Sequence, residues 1–153
     1  MIWIGVKDGD PRALALIKEH YSWRIYRDNR PHRRFCGPGY KMVLLTPRCD
    51  ALFIWRKFRD QSACGGSGVN CAAFRNMGPG LSSELIKEAM VLAWARWPGE
   101  RLYTYVNPKR IRSSNPGFCF LKAGWAKLPE RTKGNLVILE AIPSAAGALD
   151  LSR

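Results

Sequence analysis

Phe74-Arg75-Asn76-Met77-Gly78-Pro79-Gly80-Leu81-Ser82-Ser83-Glu84-Leu85-Ile86 reads as a strand, a tight glycine turn and a helix start. Upstream, 68–74 (Gly-Val-Asn-Cys-Ala-Ala-Phe) is short and apolar enough for a buried strand. Downstream, Leu85, Ile86, Ala89, Met90, Ala93, Trp94 and Trp97 recur at helical spacing, and Pro98-Gly99 stops the helix. Ser82 or Ser83 is expected to cap the first free N–H groups, with Glu84 at the positive end of the helix dipole. A glycine turn lets backbone N–H groups converge, and a helix N-terminus adds partial positive charge. Together they suit an anion such as a pyrophosphate.

Arg75-x-x-Gly78-x-Gly80 resembles the (Gln/Arg)-x-x-Gly-x-(Gly/Ala) signature of the GNAT acyltransferase superfamily. In that family the loop holds the pyrophosphate of coenzyme A between the fourth strand and the next helix. The resemblance therefore implies an acetyl-CoA or other acyl-CoA-like donor, bound by Arg75, Asn76, Gly78, Gly80, Ser82 and Ser83. Pro79 departs from a full set of donors, because it has no N–H. The order of later segments is also similar to the family's. Residues 101–108 alternate like a strand, 113–125 read as a loop, a short helix and a helix-ending glycine, and 136–141 form a last strand. The expected fold is α/β and GNAT-like, a central mixed, mostly antiparallel sheet flanked by helices, in one domain over 1–153.

Charge is the strongest global signal. The 153 residues carry 25 Lys+Arg against 12 Asp+Glu, a formal +13, which favours a polyanionic partner, nucleic acid first. No stretch is long and apolar enough to span a bilayer, and the start lacks the pattern of a signal peptide. A cytoplasmic protein is the expectation. The five cysteines (Cys36, Cys49, Cys64, Cys71 and Cys119) have irregular spacing and no C-x-x-C, so reduced thiols are expected and no metal site.

Taken in order, residues 2–6 read as a first strand, and Asp10-Pro11 as the cap and first position of a helix running to His20-Tyr21. From 20 to 39 the chain is rich in arginine and aromatic rings. His20, Tyr21, Trp23, Arg24, Arg27, Arg30, Arg33 and Arg34 offer cations for phosphates and flat faces for bases. A solvated basic loop whose rings pack on the core fits equally well. Strands follow at 40–45 and 51–55, then a glycine-rich connection over 60–68. Residues 125–128 and 136–141 form a hairpin across 130–134, and the tail from about 143 is expected to fray.

In GNAT enzymes an acceptor amine attacks the thioester directly, and a tyrosine on the short helix often protonates the leaving thiolate. The matching position here is Phe120, which has no proton to give. Cys119, Ser113 or Ser114 are the groups at hand. Several segments also resemble the Mom family of phage DNA modifiers, which carry a GNAT-like fold and modify adenine. They are His20-Tyr21 before an arginine-rich stretch, Arg75-Asn76 followed by Ser83-Glu84, Tyr103 to Asn107, and Ala123-Gly124-Trp125. The family's Tyr-x-Asp stands here as Tyr105-Val106-Asn107, and its His-x-x-Gly-His cluster has no counterpart. The resemblance implies a DNA base modifier with Tyr105, Asn107, Ser114, Asn115 and Cys119 at the reaction centre. Lys109, Arg110 and Arg112 would join the DNA surface. Two other readings stand beside it. One is a coenzyme-A-dependent N-acetyltransferase acting on a peptide or small amine. The other is a DNA-binding protein without chemistry.

Overall fold

Ala-Leu-Phe-Ile-Trp at 51–55 is apolar at every position, the pattern of a strand covered on both faces. It lies in β3 (Ala51–Lys57), at the centre of the molecule. The computed structural model describes residues 2–18, 36, 39–58, 67–109 and 117–143. The expectations for 19–35, 59–66, 110–116 and the tail from 144 fall outside the described residues.

The other elements are β1 (Ile4–Val6), α1 (Pro11–Ile17), β2 (Tyr40–Leu45), β4 (Val69–Asn76), α2 (Ser82–Arg96), β5 (Leu102–Val106), α3 (Phe118–Lys122), β6 (Ala126–Arg131) and β7 (Val137–Ala141). The described strands make one seven-stranded mixed sheet, in the order β1-β2-β3-β4-β5-β7-β6. Among them only β4 and β5 pair in parallel. That pair requires a crossover, which α2 supplies. The α/β class expected from the sequence is therefore observed, and β6 runs further than expected, through Glu130 and Arg131.

Helices lie on both faces. On one, Leu85, Ile86, Ala89 and Ala93 of α2 and Phe120 of α3 meet Phe53, Trp55, Val69, Leu102 and Leu139. On the other, Ala13, Leu16 and Ile17 of α1 cover Val43, Leu45, Leu52, Ile54 and Ala73. Trp55 joins the first core in three ways. Its Nε1 donates to the Ala89 carbonyl at 3.0 Å, its ring sits 4.5 Å from Phe53, and it stacks on Trp125 at 6.2 Å.

A β-bulge in β4 changes which face its residues serve. Trp55 pairs with Cys71 and Ile54 with Ala73, so Ala72 is the extra residue. Before the bulge, Val69 and Cys71 point to the α2 face; after it, Ala73 and Arg75 take the α1 face. The bulge also marks where β4 leaves β5. The two strands pair at Val69–Leu102, Asn70–Tyr103 and Cys71–Thr104, and no further. Yet β4 continues along β3 to Asn76, and β5 continues along β7 to Val106. A wedge thus opens between them at their C-terminal ends.

The closed end is fixed by a close approach. Gly68 has φ +121°, and a Cβ there would lie 2.2 Å from the Arg101 carbonyl oxygen, so only glycine fits where the parallel pair begins. Asp10 caps α1 as expected, accepting from the Arg12 N–H at 2.9 Å.

Replacing Trp55 with Ala removes a fully buried ring and its hydrogen bond. It is expected to destabilise the fold by about 3–5 kcal/mol, read as a lower urea midpoint with an unchanged m-value.

Candidate functional site

The wedge ends at the glycine turn, so the two features form one site. Asn76, the last residue of β4, organises the turn. Its Oδ1 accepts the Gly78 N–H at 3.1 Å, and its Nδ2 donates to the Gly80 carbonyl at 2.7 Å and the Ser82 Oγ at 3.0 Å. This is an Asx-turn extended to bridge strand and helix. The hairpin tip between β2 and β3 braces the turn from outside. Met77 N–H donates to the Asp50 carbonyl at 2.7 Å. The Asp50 carboxylate is held by the Thr46 hydroxyl at 2.6 Å. A Cβ on Gly78 would lie 2.3 Å from that carboxylate, which is why glycine stands there. A Cβ on Gly80 would make only ordinary contact with Leu85, so packing does not demand that glycine.

The helix start differs from expectation. Leu81, not a serine, is the N-cap residue of α2, and no side chain caps the helix. Ser82 and Ser83 are already helical, and Ser82 Oγ is bonded to Asn76 instead. Glu84 and Leu85 N–H turn back to the Leu81 carbonyl. That leaves the N–H groups of Gly80, Leu81, Ser82 and Ser83 without an acceptor among the described residues. Uncapped donors at a helix N-terminus suit an anion. They fit the diphosphate part of a coenzyme-A-like donor, on the side of the turn away from Asp50.

The six expected donor-site residues divide between the faces. Asn76, Gly78, Gly80, Ser82 and Ser83 belong to the turn and the start of α2. Arg75 lies after the bulge, opposite Leu52, on the face that carries α1. The bulge is what sequence reading missed, since an extra residue in an apolar run leaves no mark in its composition. Thr46 and Asp50 were missed as well; only the pairing of Ala51 with Asn76 brings their hairpin beside the turn.

Of the expected reaction-centre residues, Tyr105 and Asn107 fall at the open end of β5. Tyr105 is half-buried, lies beyond the last residue paired to β4, and meets Tyr103 edge-on at 5.5 Å. Asn107 Oδ1 accepts the Lys109 N–H at 3.0 Å, shaping the turn after β5. Phe120 is a packing residue, edge-on to Trp125 at 4.8 Å and to Phe74 at 6.1 Å. Cys119, beside it, is largely buried, and burial raises its thiol above the ordinary value. It stays protonated at neutral pH but yields its proton less readily than a free thiol, which makes it a poor general acid. Ser114 and Asn115 lie outside the described residues, as do His20, Tyr21, Trp23, Arg24, Arg27, Arg30, Arg33, Arg34, Arg110 and Arg112. Lys109 is described and exposed.

Cys36, Cys49, Cys71 and Cys119 are all free thiols. Among the described residues, no cluster of three or more His, Cys, Asp or Glu side chains could hold a metal ion. No helix of the described residues is long and apolar enough to cross a membrane.

The fold is thus an α/β sheet protein whose site is an opened parallel strand pair leading to an uncapped helix. Comparison with models of protein families, with curated proteins and with solved structures finds no match to this chain.

Replacing Asn76 with Ala is expected to cost about 1–3 kcal/mol and to speed amide exchange at Gly78, whose N–H loses its acceptor. Cys36 supplies a pH signature. Burial pushes its thiol from an ordinary value of 9.0 to about 12, with the nearby Asp8 carboxylate adding to the rise. In the unfolded chain that proton leaves first, so the folded state holds the extra proton above pH 9. Stability contributed by this group is therefore complete below about pH 9 and declines towards pH 12. Urea midpoints measured across this range should fall for the wild type and fall less for Cys36→Ala.

Proposed function

We propose that this chain is a GNAT-type transferase acting on nucleic acid, a DNA base modifier of the phage Mom kind. The observation that carries the reading is the wedge itself. A single parallel pair, β4 with β5, comes apart at a bulge and opens beside four unpaired N–H groups at a helix start. An extended thioester arm fits along the free edge of β4, because its amides can bond the backbone groups that β5 leaves unpaired. Its diphosphate fits the N–H groups of Gly80 to Ser83. The strand order β1-β2-β3-β4-β5-β7-β6 supports the same reading, and so does the formal charge of +13, which favours a polyanion as acceptor.

Within this reading the chain does little covalent work. An acyl-CoA-like donor supplies the transferred group. The turn and α2 hold its anionic end, and the walls of the wedge align its reactive end with the acceptor amine. Phe120 and the buried core around it exclude water from one side. Proton movement falls to solvent or to Tyr105 and Asn107, since Phe120 cannot take part and Cys119 is poorly acidic.

A second reading draws on that same fact. A protein that kept the wedge and lost the chemistry would need no acid at position 120. It would bind DNA with steep salt dependence and leave nucleosides unchanged.

The test is mass spectrometry of nucleosides digested from DNA of cells expressing the protein, beside an empty-vector control. A new deoxynucleoside, heavier by the mass of the transferred group, is the expected result. Normal nucleosides, together with acetylation of a peptide or small amine by the purified protein and acetyl-CoA, would replace this reading with an ordinary N-acetyltransferase. Normal nucleosides with tight DNA binding would leave the non-catalytic reading.

A further inference from the structure

The bulge gives the wedge two unlike walls. On the α2 face lie the turn and the open helix start. On the α1 face the chain presents Arg75 on β4 and Tyr105 on β5, one on each side of the opening. Tyr105 shares its face with Tyr103, which pairs across β4 with Asn70 and through it with Arg56 on β3. Arg75 shares that face because Ala72 reverses the alternation of β4. Without the extra residue, Arg75 would point towards α2. A guanidinium and a phenol ring therefore face each other across a gap that no strand pairing fills.

The surrounding rim is basic. Arg48 is exposed at the hairpin tip next to the turn, Lys109 is exposed just after β5, and Arg131 is exposed at the end of β6 opposite Val137. The nearest acid, Asp50, is engaged by Thr46. Glu130 is the other acid of this rim, on the edge strand.

We propose that the α1 side of the wedge is a nucleotide site, in which the Tyr105 ring stacks on a base and Arg75 pairs with the adjoining phosphate. This deepens the function proposed above and rests on it for the identity of the acceptor as DNA. The chemistry follows from the two side chains. An aromatic face takes any base through its π-surface, and an arginine fork matches phosphate oxygens. The site takes a single-stranded or flipped-out nucleotide, because a wedge between two strands of one sheet admits one base and not a duplex. Donor and acceptor then meet from opposite faces, with the open edge of β4 between them.

The test is fluorescence anisotropy with a short single-stranded oligodeoxynucleotide over a series of salt concentrations, with no donor present. Tyr105→Ala should weaken binding about tenfold, while Tyr105→Phe, which keeps the ring, should stay within about twofold of wild type. Arg75→Ala should weaken binding and lower the slope of log K against log salt by about 0.7. Lys7→Ala, an exposed cation on the far edge of the sheet, is the control and should change neither. The Phe variant guards against a folding defect in the Ala variant. Wild-type affinity in both Tyr105→Ala and Arg75→Ala would overturn the proposal, and so would failure of the wild-type protein to bind the oligonucleotide.

Calorimetry with coenzyme A on the same variants separates the two levels. Retained coenzyme A binding with unchanged oligonucleotide binding removes the nucleotide site and leaves the donor reading intact. Lost oligonucleotide binding in a protein that never binds coenzyme A supports the nucleotide site and removes the transferase.

Discussion

One extra residue, Ala72, decides the shape of the site. In a regular parallel pair, β4 and β5 would bond along their full lengths, and the sheet would close over its own centre. The bulge bends β4 and breaks the register with β3 between Cys71 and Ala73. Pairing to β5 ends at that same residue. Beyond it β4 keeps only β3 and β5 keeps only β7. The unpaired backbone groups on the inner edges must then find water or a ligand, since buried polar groups left alone are costly.

The rest of the structure holds this opening in place. At the closed end, Gly68 lets the chain pass against the Arg101 carbonyl, and the Val69 N–H donates to that carbonyl at 2.7 Å. On the α2 face, Trp55, Trp125, Phe120 and Phe74 form a chain of ring contacts that ties β3, α3 and β4 together. The Lys57–Glu100 ion pair and the Trp94 hydrogen bond to the Glu100 carbonyl, at 2.8 Å, fix the return from α2 to β5. At the open end, Asn76 and the Thr46–Asp50 pair set the turn. The wedge therefore stands between two anchored ends, a preorganised gap and not a loose edge.

Much of the fold could be read from the chain because its signals are local. The apolar run at 51–55, the helical spacing from Leu85 to Trp97 and the Asp10-Pro11 start each report structure within a few residues. The glycine turn was legible for the same reason. The bulge was not, because Cys71-Ala72-Ala73 reads the same whether or not one residue is extra. The cap of α2 was misread because two adjacent serines satisfy the preference for a capping residue, while tertiary contact gave Ser82 to Asn76 and left Leu81 at the cap position. The role of Gly78 was hidden too. It answers to Asp50, twenty-eight residues earlier, through strand pairing that no local pattern encodes.

Amide hydrogen exchange, measured with and without coenzyme A, tests the central claim most directly. An open wedge requires that the amides of Gly80 to Ser83, and those of 72–76 not bonded to β3, exchange quickly in the free protein. On saturation with coenzyme A both sets should become protected together, while those at Val69 to Cys71, already paired, should change little. Slow exchange of the inner amides of 72–76 in the free protein would show that the strands do not part. Fast exchange left unaltered by coenzyme A would show an opening that does not serve the donor.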